Sequence, residues 1–125
     1  MPLFPRLAAA LGALLISFAA LGQAYPAKPV KVVVPYPPGG TNDILGRIFS
    51  ERLGKSLGQT FVVENRSGAG GVIGADAVAK ATPDGYTLLL SSSGPIAVGL
   101  SLFKNLPYDV MRDFAPVSMI ADVTV

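Results

Sequence analysis

Histidine, cysteine and tryptophan are all absent from the 125 residues. Without cysteine there is neither a disulfide nor a thiol nucleophile, so stability has to come from packing alone. Without histidine the commonest general base is gone, and the chain's serines have no obvious activating partner. The acids Asp43, Glu51, Glu64, Asp76, Asp84, Asp109, Asp113 and Asp122 are scattered along the chain, so their spacing gives no metal cluster. Lysines and arginines form no run, which leaves nucleic acid without an electrostatic footprint. Catalysis, metal binding and nucleic-acid binding therefore have little to stand on.

What is present begins with a leader-like segment. Arg6 precedes an uncharged apolar stretch over residues 7–21, followed by Gly22, Gln23 and Ala24. A basic start, a short apolar run and a small-x-small site read as a secretory signal peptide over residues 1–24. The run is shorter than the ~20 apolar residues that cross a bilayer, so no stable membrane insertion is expected after cleavage. No cysteine adjoins the site to take a lipid. Arg6 leaves with the leader, so the pI of about 9.1 and mean hydropathy of +0.51 overstate the basicity and greasiness of residues 25–125. That remainder is long enough for one small domain.

Within it a unit repeats. Residues 30–34 are a β-branched run ending at Pro35, as in a buried strand. Tyr36, Pro37, Pro38, Gly39 and Gly40 make a rigid turn, and Thr41, Asn42 and Asp43 are candidate helix caps. Ile44, Leu45, Ile48, Phe49, Leu53 and Leu57 then form an apolar stripe at helical spacing, which predicts the face that packs on a sheet. Gly58 is placed to end that helix. A second strand over 60–64, a glycine-rich turn through Ser67, Gly68, Ala69, Gly70 and Gly71, and a small-residue helix over about 72–80 follow. A third strand over 86–90 runs into Ser91, Ser92 and Ser93, and Pro95 opens a short helix through Leu102. A loop over 105–109 leads to a last apolar run, 117–125.

Alternating strands and helices predict an α/β fold, an open sheet with right-handed crossovers. Ligands in such sheets sit beyond the carboxyl ends of the strands, at helix N-termini. Here those turns consist mostly of Gly, Ser, Thr, Asn and Pro, which supply backbone N–H groups but few acids or bases. The pattern suits holding an anion more than transforming one. Asp43 would oppose an anion if it pointed inward, and is read as a cap that shapes the loop.

Two nucleotide motifs fail. The stretch 68–74 has Ile73 where a dinucleotide fingerprint needs glycine, and Gly54-Lys55-Ser56 has Phe49 five residues before Gly54 where a P-loop needs glycine.

The residues quoted so far form an ordered string. Tyr25-Pro26-x-Lys28-Pro29-Val30, Val34-Pro35, Pro38-Gly39-Gly40-x-x-Asp43, Leu57-Gly58-Gln59, Val63-x-Asn65, Gly68-Ala69-Gly70-Gly71 and Pro83-Asp84-Gly85-Tyr86-Thr87-Leu88 resemble the Bug (TctC-like) family. The tail Asp113-Phe114-Ala115-Pro116-Val117 fits as well. These are periplasmic receptors of tripartite tricarboxylate transporters. The resemblance implies a type II periplasmic-binding-protein fold, two lobes closing on a small carboxylate, of which residues 25–125 supply part of the first lobe only. It implies permease subunits as partners, a periplasmic location, no cofactor and no enzymatic activity. Carried over, the ligand-gripping positions are Tyr36, Pro38, Gly39, Gly40, Thr41, Asn42 and Asp43; Ser67, Gly68, Ala69, Gly70 and Gly71; and Ser91, Ser92 and Ser93. The sequence stops before a second lobe, so it reads as a fragment or truncated frame, with 117–125 as the strand leading to the hinge. Two other readings stay open: a ligand receptor for a sensor kinase, and a small α/β nucleotide-dependent enzyme domain.

Overall fold

A computed structural model describes residues 24–122; most of the leader assignment, 1–24, and the last residues of the final run lie outside them. Three parallel strands, β1 (Val30–Val34), β2 (Phe61–Asn65) and β3 (Thr87–Leu89), form one sheet in the order β2-β1-β3. Val30 stands beside Phe61 and Val34 beside Asn65, while Val32 stands beside Leu88. Helix α1 (Thr41–Leu57) joins β1 to β2, and α2 (Val72–Ala79), preceded by a 3-10 turn Ala69–Gly71, joins β2 to β3. A π-helical turn Gly94–Val98 runs into α3 (Gly99–Leu102), and α4 (Val110–Asp113) comes last. The predicted open α/β sheet is the observed one.

The central strand explains the order. All of β1 is buried except Lys31, as expected for a parallel strand covered on both faces. Val30, Val32 and Phe61 make the core, with Val63, Tyr86, Leu88 and Leu90 packed against it. This is the α1 face, because a side chain added at Gly46 would stand 3.0 Å from a Val34 methyl. Helix α2 meets the neighbouring residue, Pro35, where a Cβ on Gly74 would lie 2.7 Å from Pro35 Cβ. Adjacent strand residues point to opposite faces, so the two helices lie on opposite sides of the sheet. The first crossover runs from β1 to β2 and the second runs back past β1 to β3, which makes the carboxyl end of β1 a topological switch point.

Two expectations are corrected. The apolar stripe of α1 seats the helix only in part: Leu45 and Phe49 are half-buried, but Ile44 is 52% exposed, Ile48 44%, Leu53 36% and Leu57 44%. The buried residues are Asp43, Gly46 and Ser50. Glycine at 46 lets the helix backbone approach Val34 and Leu90 closely, and that ridge wins over the more apolar one. Residues 117–122, read as a strand, belong to no strand and are exposed. Neither sheet edge pairs with them, and an extended segment without a neighbour has no ladder to join.

Both ends of the fold are tied down. Near the amino end of β1, Tyr25 Oη donates to the Gly85 carbonyl at 2.7 Å and Tyr86 Oη accepts from Ala27 N–H at 2.9 Å. Beyond α3, Tyr108 is 6% exposed, donates to the Pro95 carbonyl at 2.8 Å and meets Phe114 edge-on at 5.5 Å. Burial raises the Tyr108 pKa. Reading 105–109 only as a loop missed this anchor. Tyr108→Phe should therefore cost about 0.5–1.5 kcal/mol, the net worth of one hydrogen bond, read as a lower urea midpoint at unchanged slope.

Candidate functional site

The β1–α1, β2–α2 and post-β3 turns all lie at the carboxyl ends of the parallel strands. In the first, Gly39 takes φ +85°, a conformation glycine adopts without penalty. Gly40 is the N-cap of α1, and no side chain caps it. Thr41, Asn42 and Asp43 instead occupy the first helical turn, so none is the N-cap the sequence suggested. The Asp43 carboxylate reaches back and accepts from Gly39 N–H at 2.9 Å.

The second turn is an unusual stretch of backbone. Gly68, Ala69, Gly70 and Gly71 all have positive φ, and Ala69, at +47°, is the non-glycine among them. Such residues carry strain that the surroundings must sustain. In the third turn Ser91 Oγ donates to the Ser92 carbonyl at 3.1 Å, and Pro95 follows, buried.

Tyr36 brings the turns together. Its hydroxyl lies 2.6 Å from Ser92 Oγ. A Cβ on Gly94 would sit 3.1 Å from that hydroxyl and one on Gly71 would sit 3.4 Å from it. The phenol thus rests in a seat made by two glycines and a serine, one turn against the next. Larger residues at 71 or 94 would displace it. Tyr36, Gly71 and Ser92, among the predicted positions, are joined at this point. Pro38, Gly39, Gly40 and Thr41 are exposed on the first turn, as are Ser67, Ala69 and Gly70 on the second and Ser93 on the third; Asn42, Gly68 and Ser91 are half-buried. None of these is hydrogen-bonded to the Tyr36 hydroxyl, whose partner is Ser92.

Asp43 is the exception, since it points inward. With 3% of its surface exposed, it accepts from Arg47 Nε at 3.0 Å and from Asn65 Nδ2 at 3.0 Å, besides Gly39. Donation by Arg47, then by Gly39 and Asn65, lowers its pKa to about 2. Asn65 Nδ2 also donates to the Tyr36 carbonyl at 3.1 Å, and Asn65 Oδ1 accepts from Arg47 at 3.3 Å. Sequence reasoning assigned no role to Arg47, Asn65 or Gly94. The i,i+4 spacing of Asp43 and Arg47 was a legible signal; Asn65 was not, because only the β1–β2 register places it beside Val34.

Among the described residues no group of three or more metal-ligating side chains occurs, and no helix is long and apolar enough to cross a membrane. An open groove of about 620 Å³, lined by Ser50, Gly54, Lys55, Phe61 and Val63 among others, runs between α1 and β2. Arg47 lines it too, whereas Tyr36, Gly71, Ser92 and Gly94 do not.

Comparison with known proteins agrees with this architecture. The profile of the tripartite tricarboxylate transporter family receptor matches residues 45–125. Protein BugT of Bordetella pertussis (strain Tohama I) is 59% identical over 100 residues, covering 79% of this chain and 31% of BugT. MatC from Rhodopseudomonas palustris, solved with bound malate, superposes with a TM-score of 0.71 at 41% identity, over 74% of this chain and 32% of that one. A second R. palustris protein, solved with adipate, gives 0.68 at 40% identity, over 70% and 29%. The chain thus spans about a third of the length of these relatives.

Proposed function

The chain belongs to the tripartite tricarboxylate transporter receptor family, a family of binding proteins and not of enzymes, and on that premise we propose that it contributes part of the capture site for a small dicarboxylate or tricarboxylate. The observation that carries this reading is the convergence of two neutral turns on the Tyr36 hydroxyl, beside the N-terminus of a 17-residue helix. That surface offers N–H and O–H donors and the positive end of a helix dipole, which suit a carboxylate. Asp43, the carboxylate among the positions carried over, is turned inward and already neutralised by its own partners.

Tyr36, Gly40, Thr41 and Asn42 grip one carboxylate through backbone and hydroxyl donors, with Gly68, Ala69, Gly70, Gly71 and Ser91–Ser93 lining the remaining side; Gly39, whose N–H is taken up by Asp43, shapes the turn. Pro38 holds the first turn, Ser67 opens the second, and ordered water bridges where donors do not reach. A second lobe in the full-length receptor closes over the ligand. The exported receptor delivers its cargo in the periplasm to membrane permease subunits, and needs no cofactor. The ligand class follows relatives seen with malate and with adipate.

Titration calorimetry of the full-length receptor against malate, adipate and citrate tests the reading, with NADH and an ATP analogue as controls. At least one carboxylate should bind saturably, and Tyr36→Phe should weaken it. Binding of a nucleotide with none of the carboxylates would overturn it.

A further inference from the structure

A buried carboxylate beneath an anion-binding turn is an electrostatic liability. Asp43 is ionised, and its charge alone would repel an acid arriving over residues 38–42. Arg47 answers it from one helical turn further along, with Nε 3.0 Å from Asp43 Oδ2. The guanidinium brings a full opposite charge where a neutral donor would have satisfied the hydrogen bond. Its other arm reaches Asn65, whose amide nitrogen in turn holds both Asp43 Oδ1 and the Tyr36 carbonyl. The cluster therefore grips the β1–α1 turn at two points: at its start through Tyr36, and at Gly39 through Asp43.

We propose that Asp43, Arg47 and Asn65 are positioning residues, a charge-neutral brace that shapes the β1–α1 turn and cancels the negative charge beneath it, so that a carboxylate ligand meets free N–H donors unopposed. The proposal deepens the capture reading above and rests on it. It moves Asp43 from ligand contact to support, and adds two residues that do not touch the ligand. Asn65 sets shape; Arg47 sets both shape and charge.

A brace that only held shape would be indifferent to salt, whereas charge cancellation is not. In the full-length receptor, Arg47→Gln leaves Asp43 uncompensated and should weaken malate binding about tenfold at low salt, through like-charge repulsion. The deficit should shrink to about twofold or less as salt rises from ~0.01 M to ~1 M and the screening length falls from about 30 Å to about 3 Å. Arg47→Lys keeps the charge and should recover most of the affinity. A deficit unchanged by salt overturns the charge role. The shape role is read separately by amide hydrogen exchange in Asn65→Ala. Exchange at Gly39, whose N–H is held by Asp43, should accelerate at least tenfold while amides of β1 stay protected; unchanged exchange overturns it. If the wild-type receptor binds no carboxylate, the capture reading fails, while the exchange comparison still decides whether Asn65 braces the turn.

Discussion

Replacing Gly74 by alanine is expected to destabilise the protein by about 1–3 kcal/mol, the usual range for overpacking, or more where the obstacle is rigid. The added methyl would lie 2.7 Å from the Arg66 carbonyl oxygen, 2.7 Å from Pro35 Cβ and 2.8 Å from Pro35 Cα. Two of those atoms are backbone, and the third belongs to a proline ring, so no flexible side chain can swing aside. Helix α2 would have to lift from the end of β1. Alanine is the better helix former by about 1 kcal/mol, and packing overrides that preference here. Gly58→Ala is a useful contrast. Nothing lies within 4 Å of the added carbon, and only its left-handed φ of +69° is penalised, at about 1–2 kcal/mol. The two are told apart by amide exchange: Gly74→Ala should loosen α2 and the β2–α2 turn, Gly58→Ala only the last turn of α1. Equal urea midpoints for Gly74→Ala and the wild type would mean that α2 is not seated as described.

The second large effect is expected in acid. Asp43 keeps its charge down to about pH 2 because Arg47, Gly39 and Asn65 donate to it, against an ordinary value of 3.8. A carboxyl whose folded pKa is depressed contributes stability that is fully present above its unfolded value and is lost as pH falls through its folded one. The loss therefore falls between about pH 4 and about pH 2. Asp43→Asn should lower stability at neutral pH and flatten the acid limb in that window. Glu51, Glu64, Asp84 and Asp113 are also lowered by their partners, but they remain in both proteins, so the difference between the curves isolates Asp43. Urea midpoints measured stepwise through the window check this; parallel acid limbs would show that Asp43 is not held as described. Asn65→Ala, which strands the Asp43 oxygen and the Tyr36 carbonyl together, should cost about 1–3 kcal/mol at neutral pH.

The sequence by itself determined the elements and their order. A β-branched run ending in proline, glycines after the helices and a proline opening the post-β3 turn are local signals, and local conformational preference is enough to place β1, α1, α2 and the turns between them. The sequence's ordered motifs also pointed to the family whose profile matches residues 45–125. The orientation of α1 was decided by tertiary structure alone. Amphipathic periodicity ranks helix faces by greasiness, whereas the sheet selected the face with Gly46, which can approach most closely. The family resemblance implies a strand over 117–125, but its described part, 117–122, joins none; a strand needs a neighbour, and pairing is not local. The Tyr36 seat and the Asp43–Arg47–Asn65 brace join residues up to 56 positions apart. They exist because the parallel register sets the ends of β1, β2 and β3 side by side, a relation that no single stretch of the chain carries.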